Sequence, residues 1–159
     1  MDGSVRFNKA YYPDDIGMAR ETATFLSENV QRKVRGRRKI FISHKTNDSH
    51  AEDLARYITR QHRIVTYLAE WDPTVNPNSI TLPDYILTQI RTSRGFLVSV
   101  RPQIAISMWV GYEIGVAHAQ SVPRAKIVFD HVTTMPTVVE ALDALRSRPE
   151  LDAWIRTNV

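Results

Sequence analysis

The chain has 159 residues, 43% of them apolar and 24% charged, which gives room for one globular core rather than two. It has no cysteine, which excludes disulfides, thiolate catalysis and cysteine-ligated zinc. The net charge of +4 lies entirely in the first 39 residues, because the basic and acidic residues from Ile40 to Val159 cancel. Arg32, Lys33, Arg35, Arg37, Arg38 and Lys39 form that basic cluster, and no aromatic residue interleaves with them as a base-stacking platform would. Nucleic acid is therefore not an expected partner, and the cluster reads as the cationic last turn of a helix and the linker after it.

Residues 1–11 carry no clear periodicity and read as an irregular arm. From Asp14 to Arg35, the apolar positions Ile16, Ala19, Ala23, Leu26 and Val30 step by three and four. That spacing predicts an amphipathic N-terminal helix, closed by Gly36. Residues 1–37 are thus expected to be an arm plus a helix, which either braces the following domain or supplies a self-association surface. The pattern then becomes strand alternating with helix over 38–159.

Lys39–Ser43 is a short run of β-formers. Ser49-His50-Ala51-Glu52 has capping-box spacing, and Ala51, Leu54, Ala55 and Ile58 fall on one helical stripe. Arg63–Leu68 predicts a second strand, and residues 72–78 a turn-rich loop. Thr81 opens a helix carrying Leu82, Ile86 and Ile90. Gly95–Val100 predicts a third strand, Ile104–Gln120 a helix, and Ala125–Phe129 a fourth strand. Pro136–Arg146 and Leu151–Ile155 read as closing helices. Units of this length imply an α/β fold, a flavodoxin-like parallel sheet of four to five strands with helices on both faces. Such sheets bind ligands at the carboxyl ends of their strands, at the topological switch point.

One residue breaks its local pattern. Ile106, Trp109, Val110, Glu113, Ile114 and Ala117 share a helix face, and Glu113 is the only acid between Asp84 and Asp130. A carboxylate on an apolar stripe costs several kcal/mol unless it is partnered or lines a wet cleft. A structural and a functional role both fit that pattern. Trp109, one turn before Glu113, is either core or an aromatic wall for a planar, cationic ligand. His50, His62, His118 and His131 have no ligand spacing, so no metal site is expected.

The run Ile40-Phe41-Ile42-Ser43-His44-Lys45-Thr46-Asn47-Asp48 resembles the first strand and loop of Toll/interleukin-1-receptor (TIR) domains. The run Ser107–Glu113, with Trp109 four residues before Glu113, resembles the later signature of that family. Together the two motifs bracket a resemblance over roughly residues 38–146. It is similar to the NAD⁺-cleaving bacterial TIR proteins of antiphage defence. The resemblance implies an NAD⁺ nucleosidase or cyclase, with Glu113 catalytic and NAD⁺ as substrate rather than cofactor. For such a substrate Ser43 and Lys45 are the candidate donors to the pyrophosphate, Lys45 otherwise being a solvated loop charge. His44 either orients a ribose hydroxyl or bonds the next strand, Trp71 either covers a base or anchors its loop, and Trp109 is the candidate aromatic wall. The resemblance further implies homo-oligomers formed by TIR–TIR contacts. Two other readings stand beside it. One is a non-catalytic TIR adaptor of the same fold with Glu113 structural. The other is an enzyme like the nucleoside deoxyribosyltransferases, a related α/β class that also sets a Glu on a sugar C1, though no second acid is well placed in the central helices. The loop after the second strand departs from the family, holding Pro73, Asn76, Pro77 and Asn78 where a glycine is usual. No apolar run is long enough to span a bilayer, and Met1–Ser4 begins no apolar leader, so a cytoplasmic protein is expected.

Overall fold

The computed structural model describes residues 7–13, 15–22, 38–44, 48–68, 81–101, 108–130, 132 and 134–159, the side chains of 7–9, 15–22, 81–85, 108 and 109 excepted. The described chain runs β1 (Phe7–Tyr12), β2 (Asp15–Thr22), β3 (Lys39–Ser43), α1 (Ser49–His62), β4 (Val65–Leu68), α2 (Thr81–Arg91) and β5 (Gly95–Ser99). It continues through α3 (Met108–Ala119), β6 (Arg124–Ile127), α4 (Thr137–Glu140), β7 (Ala144–Leu145) and α5 (Arg148–Asn158). The strands form one seven-stranded sheet in the order β2-β1-β4-β3-β5-β6-β7.

Strands β3 to β7 are mutually parallel. Numbered among themselves they take the order 2-1-3-4-5, the flavodoxin-type doubly wound arrangement, with its switch point between β3 and β5. The register Ser43↔Val98 brings the carboxyl ends of those two strands level.

Alternation along the strands sorts the core into two layers. Phe41, Tyr67, Phe96 and Val98 point to the face covered by α2, α3 and α4, where Ile86, Ile90, Ile114 and Val139 pack. Ile40, Ile42, Leu97 and Ile127 point to the opposite face, under α1 and α5. Strands buried on both faces read as continuous apolar runs, which is why β3 and β5 stand out in the sequence.

Two expectations are corrected. Asp15–Thr22 is a strand, not the start of an amphipathic helix, and Phe7–Tyr12 is a strand rather than an irregular arm. The two pair antiparallel, with Tyr12 opposite Asp15 and only Pro13 and Asp14 between them. Pro-Asp is turn chemistry, and Gly17 costs a helix interior about 1 kcal/mol, so local preference also opposed the helix. The larger cause is tertiary: β1 also pairs antiparallel with β4 and occupies the edge that the parallel sheet would otherwise expose. Ala10, Tyr11 and Tyr12 are buried there, and the Arg63 guanidinium donates to Pro13 O at 3.0 Å, fastening the hairpin turn. The remainder of the expected helix, residues 23–35, lies outside the described residues. A further correction concerns Pro136–Arg146, where the helix stops at Glu140 and Ala144–Leu145 forms the fifth parallel strand.

Lys39, counted above with the basic cluster, is in the core. Its Nζ donates to Gln89 Oε1 at 2.6 Å and Thr92 Oγ1 at 2.8 Å, and lies 5.9 Å from the centre of the Tyr67 ring. Burial lowers its pKa from 10.5 to about 7, because the charged ammonium loses its hydration there. Lys126 is buried too and donates to Val139 O and Glu140 O, a cation on the last carbonyls of α4.

Candidate functional site

The switch point begins at Ser43. It ends β3 on the same side as Phe41, the side covered by α2 and α3. Its side chain is fully buried, and its Oγ has no hydrogen-bond partner among the described residues. A buried hydroxyl left without a partner costs roughly 1–3 kcal/mol, so an atom in this state marks either strain or a place where a ligand completes the bonding. His44 follows it and is buried.

Glu113 stands in the first half of α3. Val110, Ile114 and Ala117 of that helix are in the core against the same sheet face, and Glu113 among them is only 2% exposed. The described part of the stripe read from the sequence, Val110 to Ala117, is thus buried, with its carboxylate inside. Glu113 and Ser43 lie on one face of the sheet, on elements that flank the switch point. Trp109 is one turn earlier on α3, its side chain outside the described residues. Lys45 and Trp71 also lie outside the described residues.

Asp48 joins this end of the sheet to the opposite layer. It is the N-cap of α1, with Oδ1 accepting from the backbone N–H of His50 at 3.0 Å and of Ala51 at 3.3 Å. The capping-box spacing pointed to Ser49; the cap is one residue earlier. Ser99 Oγ, at the end of β5, donates to Asp48 Oδ2 at 3.2 Å. With its oxygens committed to the cap and to Ser99, Asp48 fixes the start of α1 to the carboxyl end of β5. The Arg101 guanidinium lies 4.0 Å from Asp48 and pairs with Asp130, tying the ends of β5 and β6 together.

Sequence reasoning did not single out Asp48, Ser99, Arg101 or Asp130 as a group. They come from three separate segments, and only the parallel register lines them up. Turn-former and strand-end positions were the one available signal. Among the described residues there is no group of three or more His, Asp or Glu side chains able to hold a metal ion. No described helix is long and apolar enough to cross a membrane.

No family model matches the chain, and no curated protein matches it. The fold and these residues by themselves define a doubly wound α/β domain that carries a buried carboxylate beside its switch point.

Proposed function

We propose that the chain is a TIR-type NAD⁺ nucleosidase or cyclase that uses Glu113 to cleave the bond between nicotinamide and ribose. The observation that carries this reading is the burial of Glu113 on the apolar face of α3, on the same side of the sheet as the unpartnered hydroxyl of Ser43. The 2-1-3-4-5 order of the parallel strands and the two sequence motifs support it as well.

The chemistry needs little else. As the bond from ribose C1′ to the nicotinamide nitrogen breaks, its electron pair leaves with nicotinamide, which departs neutral and needs no acid. The ribose is left as an oxocarbenium-like centre, and a carboxylate in a low-dielectric site stabilises that charge more than it would in water. Water then adds to C1′ and loses a proton, giving ADP-ribose; capture by a nitrogen or hydroxyl of the same molecule gives a cyclic isomer. In this reading Glu113 faces the ribose and Ser43 donates to the nucleotide. His44, Lys45, Trp71 and Trp109 complete the pocket, and copies of the chain assemble through TIR–TIR contacts. The product serves as a cytoplasmic immune signal.

The test is nicotinamide release from NAD⁺ by the wild type and by Glu113→Gln, at equal and high protein concentration. A loss of more than about 10²-fold with an unchanged melting temperature is expected. Retention of a tenth of the rate removes Glu113 from the chemistry. Absence of turnover in the wild type leaves the adaptor reading.

A further inference from the structure

A cleft opens at the carboxyl ends of β5 and β6, on the layer opposite Ser43 and Glu113. Strand alternation settles the side: Leu97 and Ile127 belong to the α1/α5 layer, and Ser99 and Phe129 follow them at two-residue steps. The cleft has a volume of about 170 Å³, and among the described residues its walls come from α1, the ends of β5 and β6, and the first turn of α5, with none from α2 or α3. For comparison, an apolar cavity of ~150 Å³ holds benzene.

Its chemistry is asymmetric. Leu54 and Ile127 give an apolar floor, and Phe129 stands at the wall 45% exposed, a large ring left in contact with water. The acids of the wall are matched: Asp130 pairs with Arg101, and Asp53 with Arg56. Arg148 has no carboxylate partner among the described residues. Its guanidinium is held 4.5 Å from the centre of the Tyr57 ring, which orients the fork without neutralising it. The His50 imidazole, also on the wall, makes no hydrogen bond among the described residues.

We infer that this cleft is a second ligand site, taking a single flat ring that carries one compact anion. The ring lies against Phe129 and the apolar floor, and the anion pairs with Arg148 and His50. The shared chemistry covers an aromatic carboxylate and an aryl phosphate. The site is independent of the NAD⁺ reading, because it uses none of the residues assigned there.

The experiment is a titration of the isotope-labelled full chain followed by backbone amide NMR. Benzoate and phenyl phosphate are the two anionic-ring probes, acetate and inorganic phosphate the anions without a ring, and benzamide the ring without an anion. At least one anionic ring is expected to saturate resonances around Leu54, Phe129 and Arg148, with the simpler probes at least ten-fold weaker. The better of benzoate and phenyl phosphate identifies carboxylate or phosphate as the preferred anion. Arg148→Gln and Phe129→Ala, both at exposed positions, are each expected to weaken binding at least ten-fold, while Glu113→Gln leaves it unchanged. Equal binding of benzamide, affinities within two-fold of wild type in both variants, or shifts centred on α3 instead would each overturn the inference.

Discussion

Lys39→Met tests the physical account of the core most directly. The wild-type ammonium is buried at the start of β3, and its pKa falls from 10.5 to about 7 by loss of hydration. Between those two values the folded chain holds the amine neutral while the unfolded chain holds it protonated. The unfolded state then binds one more proton, so stability rises with pH across that window by about 1.4 kcal/mol per pH unit. Below pH 7 both states are protonated and the cost of burying the charge is fully present; above 10.5 both are neutral and it is gone. From pH 7.5 to 9 the wild type should therefore gain about 2 kcal/mol from this group, or roughly 4–8 °C in Tm for a chain of this size. Methionine keeps the apolar stem and removes the titration, at the cost of the hydrogen bonds to Gln89 and Thr92, about 1–3 kcal/mol independent of pH. Urea denaturation of both proteins at several pH values isolates the effect, since every other group is common to them. The stability difference should change by about 2 kcal/mol over that range, in favour of the variant at the lower pH. Parallel curves would refute the reasoning and mean that Lys39 titrates alike in both states.

Tyr11→Ala should cost about 3–5 kcal/mol by chemical denaturation, because Tyr11 is fully buried where β1 covers the β4 edge; a loss under about 1 kcal/mol would mean the hairpin is not docked. Gly95→Ala puts a methyl 2.9 Å from Val159 Cγ2 and 3.2 Å from Trp154 Cη2, so a destabilisation of about 1–2 kcal/mol is expected. Adding Val159→Ala should recover part of that loss, and no recovery would locate the strain at Trp154. Asp152 accepts from Tyr57 Oη at 2.7 Å and pairs with His62 Nε2 at 2.6 Å, clasping α5 to α1. Burial raises its pKa, but the bonds from His62 and Tyr57 outweigh that and leave it below the ordinary carboxylate value. Its contribution is thus present above the unfolded carboxylate pKa and is lost as pH falls through the folded one. Asp152→Asn should cost about 1–2 kcal/mol near pH 7 in thermal or urea melts, with the gap closing in strong acid; a gap that widened in acid would contradict the assignment.

Strands β3 and β5 and helix α1 were legible because their signals are local. A short apolar run such as Ile40–Ile42, or a stripe such as Ala51, Leu54, Ala55 and Ile58, is set by which side chains must leave water. The same logic marked Glu113, since a lone acid on an apolar stripe stands out whatever the fold. Other features depended on partners distant in sequence. The stretch from Ile16 carries small residues at both helical and extended spacing, and the open edge of β4 decided for a strand. Ala144–Leu145 is too short to signal a strand and became one only by lying beside β6. Lys39 counted both with the basic cluster and with the first β-forming run, and the side chains of Gln89 in α2 and Thr92 just after it made its burial tolerable. The cleft of Phe129 and Arg148 had no trace in the sequence, because its walls come from four segments that only the parallel register of β5 and β6 and the docking of α1 and α5 bring together. Local patterning thus determined which segments are buried, and tertiary pairing decided which edges close and which side chains meet, since unmet backbone groups and unpaired charges are satisfied only across the folded chain.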